Sequence, residues 1–255
     1  MNGLRRYRII GFVLMPLLLA ANTVALDLNG YYKNFVAVYD LPRYSVIGFD
    51  FDTPPMGQVT SHLRLNGQIA LGRAAAFSVA WDIVPRIQDR MLWGDNLLFS
   101  GTEGSAYRAF DFDRRLYPEP DDSVASFGLF HNLDRAVLSI SARDFDLYLG
   151  RQAIAWGSAR AVNPTDVIAA YAYTELDTED RVGVDGVRLR VPLGFMGEID
   201  AGYLFGDDFE FEQSAFFLRG KTYLWRTDLS AMVVGFRENL MVGVDLARAV
   251  GGAGV

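Results

Sequence analysis

Residues 61–72 read Ser-His-Leu-Arg-Leu-Asn-Gly-Gln-Ile-Ala-Leu-Gly. Leu63, Leu65, Gly67, Ile69 and Leu71 fall on one side of an extended chain, and His62, Arg64, Asn66 and Gln68 on the other. A period of two marks a strand, because successive side chains point to opposite faces of the pleat. About ten alternating residues is the reach of a tilted strand that crosses a bilayer. After a tight break at Gly72-Arg73 the pattern returns. Ala75, Phe77, Val79, Trp81 and Ile83 alternate with Ala76, Ser78, Ala80 and Asp82. Two long strands with almost no connection make a hairpin.

The same alternation recurs over residues 135–142, 144–149, 187–191, 198–205, 232–237 and 240–247. Residues 215–230 are strand-like, but their alternation slips near Gly220, which predicts a bulge there. Connections come in two sizes: 142–143 and 193–197 are short, whereas 40–58, 85–107 and 156–181 are long. Short turns alternating with long loops are typical of outer-membrane barrels. A two-sheet sandwich would not tolerate so many charges between its sheets. The expectation is therefore an all-β fold, a transmembrane antiparallel up-and-down β-barrel of about ten strands over residues 26–255. Trp81, Tyr203, Phe205, Tyr223 and Trp225 are expected toward strand ends, where interfacial aromatic girdles sit.

Composition agrees with strands rather than membrane helices. The chain is 51% hydrophobic and 22% charged. A helical membrane protein would gather its apolar residues into runs of about 18 or more. The one long apolar run lies at the N-terminus, where residues 1–25 read as a secretory signal peptide. Arg5, Arg6 and Arg8 form its basic start, residues 9–21 its apolar core, and Ala25 the cleavage position. Cleavage removes three arginines and no acid from a chain of net charge −7, leaving it more acidic still. Localisation in the cell outer membrane follows from the two readings together.

The same inventory bounds the chemistry. Cysteine is absent, which excludes disulfides, thiolate metal sites and a cysteine nucleophile. Of 24 basic residues only Lys33 and Lys221 are lysines. That bias reflects either base composition or a demand for fixed, bidentate cations in a polar lumen. No basic patch is present, so nucleic acid is not an expected partner. His62 and His131, the latter in a turn-like stretch, have no second ligand at metal spacing. Ser61 and His62 point to opposite faces, and no nucleophile elbow or phosphate loop occurs. The pairs Asp121-Asp122 and Asp207-Asp208 read as loop charge. No enzyme, cofactor or metal is expected. The polar faces nominate Arg64, Asn66, Gln68, Arg188, Arg190, Glu198 and Asp200 as lumen-lining, with a field across the lumen between the arginines and the acids.

The middle of the chain carries Leu133-Asp134-Arg135, then Gly150-Arg151-Gln152-Ala153-Ile154-Ala155-Trp156-Gly157, then Asn163-Pro164-Thr165-Asp166, then Asp180-Arg181-Val182-Gly183-Val184-Asp185. Over roughly residues 106–205 this resembles a family of porin-like outer-membrane proteins of proteobacteria, distantly akin to alginate-export porins. The resemblance implies an outer-membrane barrel whose partners are lipid, the barrel-assembly machinery and small polar solutes. Members of that family are usually longer and end on a strand with a terminal aromatic. This chain ends in 248–255 without one, which predicts truncation and puts closure in question. Read without the family, Arg151 sits where a strand meets a long insert supplied with Asp166, Asp177, Glu179 and Asp180. Arg151, Gln152, Trp156, Asn163 and Asp166 are thus candidate anchors of that insert, as a constriction or as an ordinary structural loop. Two functions stay open: a passive channel, or a non-conducting scaffold or adhesin.

Overall fold

The structure is a computed structural model that describes residues 25–40, 44–46, 49–51, 54–92, 107–112, 114–119, 122, 126–156, 168, 182–250 and 253–254. In chain order the strands are β1 (Leu26–Tyr39), β2 (Tyr44–Val46), β3 (Phe49–Phe51), β4 (Met56–Ala70), β5 (Ala75–Gln88), β6 (Arg115–Tyr117), β7 (Phe127–Ser141), β8 (Asp146–Gln152), β9 (Val184–Leu193), β10 (Gly197–Leu204), β11 (Ala215–Leu224), β12 (Thr227–Phe236), β13 (Asn239–Val250) and β14 (Ala253–Gly254). Three short 3-10 turns are the only helical elements among the described residues. The proposed signal peptide lies outside the described residues.

Eleven strands follow one another across a single antiparallel sheet, in the order β1-β4-β5-β7-β8-β9-β10-β11-β12-β13-β14, with β6 paired to β7 and β2-β3 forming a separate hairpin. The sheet is not closed among the described residues. β1 pairs only with β4, and β13 only with β12 and the two-residue β14. An all-β, up-and-down sheet is what the alternation demanded, and closure, already in question from the sequence, is not seen among the described residues.

Loop asymmetry is strong. At one end the connections are 71–74, 142–145, 194–196 and 225–226; at the other they are 40–55, 89–126, 153–183, 205–214 and the tight turn 237–238. Trp225 and Arg226, and likewise Arg237 and Glu238, all have positive φ. Two successive residues at positive φ make the turn whose twist matches that of a hairpin. The stretch 215–230 therefore folds back at Trp225-Arg226. Gly220 stays in register with both Ile199 and Ala231, so the expected bulge is absent.

A bulge does form on β7. Trp81 pairs with Leu133 and Ala80 with Arg135, leaving Asp134 as the extra residue. Such a residue breaks the period of two and re-aims its side chain. His131 consequently lies inside β7, not in a turn. Trp81 sits in the middle of β5, not at a strand end, and stacks on His131 at 5.3 Å between ring centroids. Pro85 falls within β5, which runs on to Gln88. Lacking an N–H, it cannot complete the ladder, and the β4–β5 pairing skips from Thr60↔Arg86 to Leu63↔Ile83.

The two faces of the sheet differ in character. Arg64 is 4% exposed and Asp134 3%, while Leu28 is 71%, Val36 73%, Leu65 50% and Val242 68%. Below, the face carrying Arg64 is termed inner.

Gly150 marks where β8 prepares to leave the sheet. It has φ +108°, and a Cβ there would lie 2.3 Å from the Ala136 carbonyl oxygen. Gly72 has φ +94° but open space around it. Gly150→Ala therefore meets both backbone strain, which costs about 1–3 kcal/mol, and a collision. Gly72→Ala meets the strain alone. Denaturant unfolding of the two variants should show the larger loss for Gly150→Ala; equal losses would mean that the Ala136 contact sets no constraint.

Candidate functional site on the inner face

The cross-strand register brings the polar sides of β4, β5 and β7 together. Arg64 stands opposite Asp82, and its Nη1 donates to Asp82 Oδ1 at 3.1 Å. Arg64 Nη2 donates to Asp134 Oδ2 at 2.7 Å, and Arg135 Nη1 to the same oxygen at 2.5 Å. The other oxygen of Asp134 accepts the Gly183 amide at 2.9 Å. His62 Nε2 lies 3.1 Å from Asp82 Oδ1, and Asn132 donates to Asp82 Oδ2 at 3.3 Å. The β7 bulge is what turns Asp134 toward Arg64. A simple period of two would send Asp134 and Arg135 to opposite faces.

The second half of the network forms where β8 ends. Arg151 Nε donates to Asp185 Oδ1 at 2.7 Å, and Nη2 to Asp185 Oδ2 at 2.9 Å and to the Phe110 carbonyl at 2.5 Å. Nη1 donates to Asp111 Oδ1 at 3.0 Å and to the Leu133 carbonyl at 2.9 Å. All five N–H donors of a guanidinium are thereby used. Arg108 donates to Asp111 Oδ2 at 2.6 Å, to Asn132 at 2.8 Å and to the Gly183 carbonyl at 3.1 Å. Asn132 bonds both Asp82 and Arg108, so the two halves are continuous. Burial pushes the Asp111 carboxyl up, but the charges and hydrogen bonds of Arg108 and Arg151 outweigh it and hold it below its ordinary value.

On β9 and β10 the arrangement is simpler. Arg188 donates to Asp200 through Nε at 2.8 Å and Nη2 at 2.6 Å, and Arg190 pairs with Glu198. These are neighbours on adjacent strands, as are Arg64 and Asp82. Opposite charges therefore cancel locally, and the expected separation of arginines from acids across a lumen is corrected. Asn66 accepts from Arg64 Nε at 3.2 Å and donates to Asn29 at 3.0 Å, while Gln68 shares the face but stays exposed.

Among the candidate anchors, Arg151 bonds Asp111 and the Phe110 carbonyl directly, with Asp185 bonding the backbone of Tyr107 and Ala109, and it makes no hydrogen bond or ion pair to a described residue of the 156–181 insert. Gln152 is buried and its amide reaches the Gly186 carbonyl at 3.4 Å. Trp156 Nε1 donates to Asp200 Oδ2 at 3.1 Å, and its ring meets Phe217 edge-on at 4.5 Å. Asn163, Asp166, Asp177, Glu179 and Asp180 lie outside the described residues.

Periodicity missed an apolar cluster on this same inner face. Ile154, Trp156, Val184, Leu204, Phe217, Met232 and Val234 pack together with Tyr107 and Ile168 toward the long-connection end. It also missed Arg108, Asp111 and Asp185 as network members. Arg108 and Asp111 lie in a connection with no alternation to read. The Arg181-Val-Gly-Val-Asp185 motif did contain Asp185, but not its partner.

No protein-family model, curated protein or solved structure matches the chain.

Removing one side of a buried, hydrogen-bonded ion pair costs about 3–5 kcal/mol, because the other charge is left unpaired. Arg151→Ala should show a loss of that order in denaturant unfolding. Arg151→Lys should recover little of it, since a point cation cannot replace a five-donor fork. Full recovery with lysine would reduce the role of Arg151 to bare charge. Acidification supplies a second readout. A carboxyl with a lowered pKa contributes stability that is complete above its ordinary pKa and is lost as pH falls through the lowered value. The wild-type protein should therefore weaken below about pH 4, and Asp111→Asn should weaken less over that range; an identical pH profile would remove Asp111 from the network's energetics.

Proposed function

We propose that the chain is an outer-membrane porin-like channel through which small polar or charged solutes diffuse. The observation that carries this reading is the inversion of the two faces. Aliphatic rows such as Leu240, Val242, Val244 and Leu246 point outward and are 62–68% exposed, while ionised groups are buried on the opposite side. In water, an apolar surface of that extent is an association or aggregation liability. Against lipid it is the expected exterior of a membrane strand, with the polar face turned to an aqueous interior. Export by residues 1–25 and insertion by the barrel-assembly machinery belong to the same reading, as does the resemblance to porin-like proteins of proteobacteria. Short turns at one end and long connections at the other support it further.

A second reading, a non-conducting barrel serving as scaffold or adhesin, is favoured by one observation. The inner apolar cluster around Trp156 packs over the inner face of β9 to β12 toward the long-connection end.

Two measurements test the pair of readings. In lipid vesicles Leu65→Arg should cost about 2–4 kcal/mol if Leu65 lies near the bilayer midplane, whereas Asn66→Arg, one residue along on the inner face, should cost much less. Equal tolerance of the two would sink membrane insertion. In planar bilayers the refolded chain should give discrete conductance steps. Stable insertion without conductance would select the scaffold reading instead.

A further inference from the structure

The pairing of charges on β9 to β13 leaves a remainder. Asp200 is opposite Arg190 on β9 and Arg219 on β11 and accepts diagonally from Arg188 on β9, and Glu198 is opposite Lys221 on β11 and accepts diagonally from Arg190 on β9. Each anion thus has one cation hydrogen-bonded to it from β9 and another opposite it on β11. Both anions are taken from the β9 side. Asp200 accepts Arg188 through both oxygens and Trp156 as well, and Glu198 accepts Arg190. The β11 cations receive what is left. Lys221 has Asp228 at 3.5 Å, both about half exposed, a geometry that contributes little. Arg219 makes no hydrogen bond or ion pair among the described residues. This contrasts with Arg64, Arg108, Arg135, Arg151, Arg188 and Arg190, which all meet an acid. Asp245 on β13 is likewise without a partner among the described residues. Ser230 stands directly between Lys221 and Asp245 in the register.

These groups share one feature of the inner surface. Arg219, Lys221, Asp228, Ser230 and Asp245 line a cleft of about 170 Å³ on the short-turn side of the apolar cluster. We propose that this cleft binds small zwitterionic solutes. The solute carboxylate is taken by Arg219 and Lys221, and its cationic end by Asp245. A guanidinium with open donors favours a carboxylate because its planar fork matches the two oxygens. The free carboxylate two strands away adds a requirement for positive charge at the far end. A pure anion leaves Asp245 unsatisfied and repelled, and a pure cation meets Arg219. The inference rests on the inner face being open to water, as in the channel reading, but it does not require conduction.

The test is calorimetric titration of the refolded full-length chain in detergent with three probes: 4-aminobutanoate, butanoate and butylammonium. The zwitterion should bind more tightly than either singly charged probe. Arg219→Gln should weaken binding of 4-aminobutanoate and butanoate about tenfold, the loss expected for one charge-assisted hydrogen bond. Asp245→Asn should weaken 4-aminobutanoate by a similar factor and leave butanoate unchanged or improved. Arg226→Gln, at an exposed hairpin turn, is the control and should change nothing. A strand-rich circular dichroism spectrum that matches wild type shows that each variant has folded. Equal binding of all three probes, or no response to Arg219→Gln in folded protein, would overturn the site. Tight butanoate binding untouched by Asp245→Asn, with no gain for the zwitterion, would overturn the ligand class. Conductance of the same samples is read separately. Binding without conductance leaves the site standing and removes the channel, whereas conductance without binding does the reverse.

Discussion

The ion pair of Arg151 and Asp185 sits within the sheet at the gap left where β8 ends between β7 and β9. β8 is only seven residues long and leaves the sheet at Gln152, while its neighbour β7 continues. Backbone groups facing the gap need partners, since a buried unpaired carbonyl costs as much as a lost hydrogen bond. Arg151 donates to the carbonyls of Leu133 and Phe110, doing with a side chain what a longer strand would do with its backbone. Asp185 orders the other side. Its amide donates to the Tyr107 carbonyl, its carbonyl accepts the Phe205 amide, and its carboxylate accepts the Ala109 amide. Segments from the β5–β7 and β10–β11 connections thus meet β8 and β9 at one residue. The backbone around it is correspondingly tight. A Cβ on Gly183 would lie 1.9 Å from the Asp134 carbonyl oxygen, a distance no side chain can occupy.

A chain that buries arginines and aspartates needs a reason to keep them charged. Burial of an ion is unfavourable unless nearly every donor and acceptor is used. Around β4, β5 and β7 the inner face approaches this condition by distributing each acid over several donors. Asp134 accepts from Arg64, Arg135 and Gly183, and Asp82 from Arg64 and Asn132. Arginine suits such sharing better than lysine, because a fixed fork bonds two or three acceptors at once. The scarcity of lysine in this chain is therefore compatible with its structure, whatever the base composition contributes. Both lysines sit outside the dense network. Lys33 lies over the Tyr31 ring on edge strand β1, and Lys221 in the exposed pair with Asp228.

The strands were legible because alternation is a local property. Leu63 to Ile69 and Leu240 to Leu246 follow it without interruption, and each run lies in a strand. Legibility failed where the structure breaks the period. At β7 the bulge at Asp134 shifts the pattern by one, so the first half of the strand, with His131, looked like a turn. The hairpins at Trp225-Arg226 and Arg237-Glu238 use residues that do not favour positive φ, and no Asn-Gly or Asp-Gly marked them. Candidate site residues on strands could be placed on a face but not paired. Arg188 meets Asp200 across a diagonal, while the register sets Arg190 opposite Asp200, and neither relation can be read from alternation. Arg151 was readable as an anchor from its position at a strand end. Its partners in 107–111 were not, because contact between segments about forty residues apart leaves no periodic trace.

The inner face changes character along the strands, and that gradient decides what the interior can do. Toward the long connections, Leu204, Phe217 and Val234 are covered by Trp156 and Tyr107. One pair of residues further along β10 and β11, Asp200 and Arg219 begin the charged rows. Trp156 belongs to both regions: its ring packs on Phe217 and its indole N–H bonds Asp200. An apolar cap held by a hydrogen bond to a buried carboxylate is stable only while that carboxylate is also neutralised, which Arg188 does. Water can hydrate the open charges of β11 to β13 from the short-turn end without disturbing the cap. For the channel proposed above, an aqueous path along this wall would have to pass the Trp156 cluster, and the cluster is where the conducting and the non-conducting readings would differ.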